Sequence, residues 1–440
     1  MGPGTTGKLT RTQSRCVALP GHVGCVRAVG ASADGSIIAT GSYDATVRLW
    51  DSSTGRKIGS FNVESDVGTL AMSSEGTKVI IGCNSNFVEV WEVRTGHRLV
   101  QMKGHKSFPC SSMDCSKNGK WAASASWEEV GALLWDLKAG KLERQIIPKD
   151  ALSPRAVSVA FSPDSAKLAI GDAHGLFIHE VLSGELVARL EGHPGARCNF
   201  VKFLDDDIVA SIDAFGDVKV QNVSQKAMLM QRRLETGAHS GAVSDDGKHV
   251  AIGGFGTVSE WNLETGSVVI EETQAHRDRQ IMAVMYVPGT HTWLSCDLWG
   301  TVNLWNPLSP IAAAAPVTKT HVERIYELEE ALKHRPNWAW GHDQLAREYW
   351  HQGDVVNMFR HFYAAAQADP SSNQPHKYLK EVYDGIAHYE DFRREDAADK
   401  MTDPYRPGGT VLVPELRAQI RERGRERRSE LESVIRELQS

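Results

Sequence analysis

Several features that would announce a particular chemistry are missing from this chain. Its seven cysteines, at positions 16, 25, 83, 110, 115, 198 and 296, are odd in number and contain no C-x-x-C pair. A zinc framework or a disulfide-stapled fold is therefore disfavoured, and a reducing, cytoplasmic setting is expected. No H-E-x-x-H occurs, so no metalloprotease-type centre is expected, and neither metal nor cofactor is assigned. No stretch reaches the roughly 18 uninterrupted apolar residues that a membrane span requires. The opening segment MGPGTTGKLTRTQSR holds no apolar core of the kind found in export signals. Positive charge is not in excess either: 49 Lys and Arg stand against 55 Asp and Glu, a net charge of -6. Such a balance provides no field for nucleic acid or an anionic membrane, and neither partner is expected.

Two local patterns imitate functional motifs. Gly2 to Lys8 reads G-x-x-x-x-G-K, but Leu9 replaces the Ser or Thr that would hold magnesium, and no strand can precede residue 2. The same residues fit M-G-x-x-x-T for N-myristoylation, yet Pro3 follows the acceptor glycine and no polybasic segment is nearby. Residues 1–13 therefore read as a flexible tail. The acidic run Asp205-Asp206-Asp207 falls in a hairpin-turn slot and reads as a solvated turn.

What the chain does contain is ordinary globular composition, 41% hydrophobic and 24% charged, spread over 440 residues in a repeating pattern. Trp50, Trp91, Trp135, Trp261 and Trp305 recur in phase, with His179 and Gln221 filling the two gaps. Successive spacings are 41, 44, 44, 42, 40 and 44 residues. Turn signals repeat with them, at Asp34-Gly35, Glu75-Gly76, Asn118-Gly119, Asp164-Ser165 and Asp246-Gly247, because Gly, Asn and Asp tolerate the dihedral angles of tight hairpins.

The first unit, GHVGCVRAVGASADGSIIATGSYDATVRLWDSSTG, resembles the WD repeat along nearly its full length. The period matches the roughly 40–45 residues of a four-stranded propeller blade. The resemblance implies a mainly β fold, a seven-bladed β-propeller over residues 14–307. It also implies that residues 14–19 supply the fourth strand that blade 7 lacks. His22, Thr40, Asp44 and Trp50 include the parts of a nucleophilic triad, but in the family these positions form a buried structural tetrad. Blade 7 keeps His276, Ser295 and Trp305, with Trp299 where Asp is expected, while blades 2, 4, 5 and 6 are more degenerate.

Aromatic residues gather between the second and third strands of six blades, at Tyr43, Phe87, Trp127, Phe215, Phe255 and Trp299, with His174 in the seventh. The resemblance places that turn on the face around the narrow central opening. Aromatics bury large areas at low entropic cost, so the set is a candidate partner-binding surface. Filling of space vacated by a lost Asp is the competing reading.

A Pro/Ala linker, residues 308–318, leads into a helical region at 319–440. Residues 339–370 resemble a tetratricopeptide repeat through Leu345, Ala346, Tyr349, Gly353, Phe362, Ala365 and Pro370, with Met358 where alanine is usual. Trp340, Arg347, Trp350 and His351 are its candidate groove residues. The Arg/Glu-rich tail carries Leu431, Val434, Ile435 and Leu438 at helical spacing, a stripe suited to docking or self-association. These features suggest a non-catalytic scaffold whose two modules each bind protein or peptide partners. The alternative is an enzyme or small-molecule binder using His342, His351 and His361 where the modules join, although these histidines do not share one helix face.

Overall fold

The computed structural model describes residues 16–306, apart from 84–86, 106–109, 127–130, 149–156, 173–174, 194–195, 235–236, 274–275 and 277–278, and residues 321–369 apart from 353. Two compact units divide the chain, Met1–Thr318 and Lys319–Ser440. The first is a seven-bladed β-propeller, seven four-stranded antiparallel sheets, with the strands of blades 2 to 6 falling within 67–103, 110–146, 158–191, 198–233 and 240–272. Blade 1 is a meander of Val26–Ala31, Ile37–Ser42, Thr46–Asp51 and Lys57–Asn62, and its sequence explains the order. The second strand, IIATGS, is buried almost throughout, whereas the fourth, KIGSFN, exposes most of its length. Strands covered on both faces read as continuous apolar or small residues, and an edge strand tolerates polar ones.

Small residues are forced where neighbouring blades touch. A Cβ on Gly41 would lie 2.5 Å from Val67 Cγ1, and one on Gly253 would lie 2.3 Å from Ile281 Cγ2. The hairpin turns need positive φ, supplied by Gly35, Gly76, Gly119 and Gly247; blade 4 puts Ser165 there at φ 63°.

In each of the six blades that the chain builds as a continuous meander, the outer strand carries a one-residue bulge. Ile58, Leu99, Glu143, Val187, Leu229 and Val269 are the extra residues. All but Glu143 are apolar side chains 43–52% exposed. A bulge bends an edge strand and spoils its pairing with another sheet, so these edges are blunted by shape.

Blade 7 is completed from the other end of the chain. Its sheet runs Cys16–Ala18, Val302–Trp305, Trp293–Asp297, Ile281–Tyr286. Cys16 pairs with Trp305, Val17 with Leu304 and Ala18 with Asn303, and the Leu19 N–H donates to Val302 O at 2.8 Å. Leu19 then packs with Val26, Ile38 and Trp50 of blade 1 and with Leu294 and Leu304 of blade 7.

The second unit contains helices α1 (His321–His334), α2 (Ala339–Gln352) and α3 (Val355–Ala368). Leu328, Leu332, Leu345, Ala346, Met358, Phe362 and Ala365 form its apolar interior. The Asp354 carboxylate caps α3 by accepting the Asn357 N–H at 3.2 Å. Between α1 and α2, Arg324 Nε donates to Glu348 Oε1 at 2.7 Å, both side chains being buried. Among the described residues no helix is long and apolar enough to cross a membrane. The linker 308–318, the segment beyond residue 369 and the apolar stripe at 431–438 lie outside the described residues.

Leu19→Ala should destabilise the propeller by about 2–5 kcal/mol, the range for deleting buried methyl groups. Ile58→Ala, at an exposed bulge, should change stability by no more than about 0.5 kcal/mol. Equilibrium urea unfolding of both variants checks this, and equal midpoints would mean that Leu19 does not hold the ring shut.

Candidate interaction face

The residues that imitate an active site form closed hydrogen-bond relays. In blade 1, Trp50 Nε1–H donates to Thr40 Oγ1 at 2.9 Å, the Thr40 hydroxyl meets His22 Nε2 at 2.8 Å, and His22 Nδ1 meets Asp44 Oδ2 at 2.9 Å. The carboxylate can only accept, so Nδ1 carries the proton and Nε2 accepts from the threonine. Burial lowers the His22 pKa against the opposing pull of Asp44, which keeps the ring neutral. A hydroxyl that is buried, holds an indole N–H and donates its own proton inward is placed to link strands, not to attack a substrate.

Blade 7 repeats the relay with one correction to the sequence reading. Trp305 Nε1–H donates to Ser295 Oγ at 2.9 Å, Ser295 Oγ lies 2.7 Å from His276 Nε2, and His276 Nδ1–H reaches Asp297 Oδ2 at 3.1 Å. The carboxylate therefore comes from Asp297, two residues before Trp299. Its other oxygen accepts the Trp299 and Thr301 N–H groups at 2.8 and 2.9 Å, so the turn itself aims Oδ2 at the histidine. Burial alone would raise the Asp297 pKa. The hydrogen bond and charge of His276, the Arg279 charge and the Thr301 N–H outweigh it and bring the group down to about 2. In blade 3, Trp135, Ser124 and His105 make the corresponding bonds at 2.8 and 2.7 Å.

The aromatic set does not occupy one structural position. Phe215, Phe255 and Trp299 each stand six residues before the relay position (Gln221, Trp261, Trp305), where blade 1 has Asp44. Tyr43 precedes Asp44 by one residue. Phe87 opens a strand, paired with Lys103, and is separate from the turn group. Trp127 and His174 lie outside the described residues.

Four of the aromatics are linked by a run of contacts across blades 5, 6, 7 and 1. Phe215 is 54% exposed, and the Ala214 carbonyl beside it accepts the Ala238 N–H of the loop that leads into blade 6. Next in that loop, His239 Nδ1 meets Gln280 Nε2 at 3.3 Å, and Phe255 is bridged to Gln280. Arg279 lays its guanidinium over the Trp299 ring, 4.8 Å from the centroid. Gly300 abuts the backbone of His22 and Gly24, the approach to blade 1. There Arg27, the extra residue of a first-strand bulge, donates to the Tyr43 hydroxyl at 3.4 Å. Arginines beside aromatics were not singled out from sequence; their signal lay in the bulge and loop geometry.

In the helical unit Trp340 and Arg347 are half-buried. The Trp340 ring lies 5.4 Å from Trp338, and Arg347 forks onto Asp343 at 2.8 and 3.2 Å. The side chains of Trp350 and His351 lie outside the described residues. His342 and His361 stand on different helices, α2 and α3, and their Nδ1 atoms meet at 2.9 Å across the hairpin. His342 Nε2 donates to Pro336 O at 2.8 Å, so its Nδ1 accepts from His361. Burial, with His342 and the Arg360 guanidinium nearby, pulls the His361 pKa down to about 4.

The fold is a seven-bladed β-propeller whose blades carry these relays. Residues 13–51 and 96–129 match the family described as WD domain, G-beta repeat. The chain is 23% identical over 239 residues to Autophagy-related protein 16 of Arabidopsis thaliana, covering 52% of this chain and 46% of that protein. It is 28% identical over 156 residues to Pre-mRNA-processing factor 19 of Oryza sativa subsp. japonica, covering 35% and 29% respectively. The small ribosomal subunit protein RACK1z of the same plant is 28% identical over 128 residues, covering 29% and 36%. The chain spans less than half the length of each of these relatives.

Asp297 sets a pH dependence. Its folded pKa is depressed, so its contribution is complete above the unfolded value near 3.8 and is lost as pH falls toward about 2. Nearly two pH units correspond to about 2–3 kcal/mol. Melts from pH 5 to 2.5 should show the wild type losing its advantage over Asp297→Asn in that window. A constant difference between the two proteins would contradict this.

Proposed function

We propose that this protein is a non-catalytic scaffold and that the run of turns from blade 5 through blades 6 and 7 to blade 1 holds a protein partner. The observation that carries the reading is the continuity of Phe215, Phe255, Arg279, Trp299, Arg27 and Tyr43 along adjoining turns. Aromatic and arginine side chains dominate binding hot spots, and Arg279, stacked on Trp299 and 3.7 Å from Asp297, holds that indole in place. The non-catalytic part is supported by the relays, whose histidines and hydroxyls are buried and committed to each other.

The relatives' names point to autophagy, pre-mRNA processing and the small ribosomal subunit. What the chain shares with proteins of such different processes is the repeat, which supports assembly as its role and leaves the pathway open. The helical unit, similar to a tetratricopeptide repeat in sequence, would provide a second surface through Trp340 and Arg347. The ligand-binding alternative loses force here because both nitrogens of His342 are engaged within the unit. The seven cysteines form no disulfide with one another, in keeping with a reducing, cytoplasmic setting.

The test uses affinity capture from native extract with three full-length proteins: wild type, the Phe215→Ala/Trp299→Ala double variant and Phe87→Ala. The double variant should retain at least about tenfold less partner, a loss of two hot-spot side chains, while Phe87→Ala and wild type retain equal amounts. Melting curves of the double variant should stay cooperative. Equal retention by all three would remove this face as the binding surface.

A further inference from the structure

Blade 5 keeps the histidine, hydroxyl and first carboxylate of the relay but changes two residues around them. His193 Nε2 bonds Ser211 Oγ at 2.9 Å, as His276 bonds Ser295 in blade 7. Asp213 stands where Asp297 stands and makes the same turn, its Oδ1 accepting the Phe215 and Asp217 N–H groups at 2.8 Å each. Two substitutions then distinguish the site. Gln221 replaces the tryptophan and turns its amide to the Glu191 backbone, so Ser211 receives no indole N–H. Asp217 replaces the threonine found at this position as Thr46 and Thr301, placing a second carboxylate beside the imidazole.

The consequences appear in the distances. His Nδ1 to carboxylate is 2.9 Å in blade 1 and 3.1 Å in blade 7. In blade 5, Nδ1 lies 3.6 Å from Asp213 Oδ2 and 3.4 Å from Asp217 Oδ2. His193 is 1% exposed and its Nδ1 has no hydrogen-bond partner, although it points between two buried carboxylates. Without an indole to hold, Ser211 Oγ can accept a hydrogen bond from Nε2–H, which leaves a lone pair on Nδ1 facing the two oxygens. Three electron-pair donors then converge with all their atoms within 4.8 Å of one another. The neighbouring ammonium does not balance both carboxylates, because Lys219 Nζ is held by Glu191 Oε1 at 2.6 Å and Gly192 O at 2.8 Å. Uncompensated charge in such a place is costly.

We propose that His193 Nδ1, Asp213 Oδ2 and Asp217 Oδ2 bind a divalent cation, and that the cation is zinc. Donors in a tetrahedron with bonds of about 2.0–2.2 Å are separated by about 3.3–3.6 Å, which matches the distances from Nδ1 to the two carboxylates, 3.6 and 3.4 Å, and is too long for the relay's own hydrogen bond. Imidazole with two carboxylates is a nitrogen and oxygen set that zinc accepts, water taking the fourth position. Gln231 Nε2 donates to both Asp217 oxygens at 3.2 and 3.0 Å and Ser211 holds the far side of the ring, the outer contacts that orient metal ligands. The cation braces the turn that presents Phe215, but the assignment does not depend on any partner binding there.

The experiment is a zinc titration of chelator-stripped full-length protein against a competing chromophoric chelator, with Asp217→Thr alongside. That substitution restores the hydroxyl of blades 1 and 7 and should leave the fold intact; if it does not fold, Asp217→Asn takes its place. Wild type should take up one more equivalent of zinc than the variant, or bind it at least about 100-fold more tightly. Zinc should raise the melting temperature of the wild type alone. Equal uptake by both proteins, or none by either, overturns the assignment and leaves a proton shared from His193 as what holds the two carboxylates together.

Discussion

The antiparallel pairing of Cys16–Ala18 with Val302–Trp305 is the contact on which the rest of the propeller depends. A row of blades is a one-dimensional array in which each unit buries its face on the next, and such an array frays from its ends. Joining the first and last strands of the propeller in one sheet removes those ends. Leu19 extends the effect, since it follows the closing strand directly and packs into side chains of the first and last blades at once. The two blades flanking this junction are also the two in which the relay is complete among the described residues.

In blades 2 and 6 the relay is replaced by local solutions that leave the tryptophan nitrogen satisfied. In blade 2, Glu89 accepts the Trp91 Nε1–H at 2.8 Å and gathers Arg98 and Gln101 around its other oxygen. In blade 6, Ser259 accepts the Trp261 indole and Glu260 accepts the Tyr286 hydroxyl. Blade 4 has no indole at this place, and His179 turns its Nδ1 toward Gly184 O at 3.1 Å. A buried donor must find an acceptor, but it need not be the same acceptor in every blade. Packing between blades is less negotiable, as the approach of Ile281 to Gly253 illustrates.

This difference explains what the sequence discloses. Blade number, turn positions and ring closure are legible because they rest on spacing and on residues such as Trp50 and Gly35 that few others can replace. Asp297 escapes a position-by-position reading because the turn lets a carboxylate two residues earlier reach the same histidine. Asp217 escapes because its meaning depends on a missing tryptophan four residues later and a histidine twenty-four residues earlier. Arg324 and Glu348 look like ordinary charges of two amphipathic helices until the helices pack. His342 and His361 look unrelated on any single helix and meet only across the hairpin.

The turn between the second and third strands shows how structure and recognition share one segment. In blade 1 the carboxylate sits six residues before the tryptophan, inside the relay, and the aromatic Tyr43 is displaced to its side. In blade 7 the carboxylate moves to the eighth position, and the sixth is released to Trp299, which Arg279 then covers. Blade 5 makes the same exchange with Asp213 and Phe215, and Phe215 is the more exposed of the two. Supplying the relay from the earlier position keeps the histidine's carboxylate partner in the interior. It also frees a surface position at the turn, and an aromatic side chain there adds binding area without removing a buried acceptor.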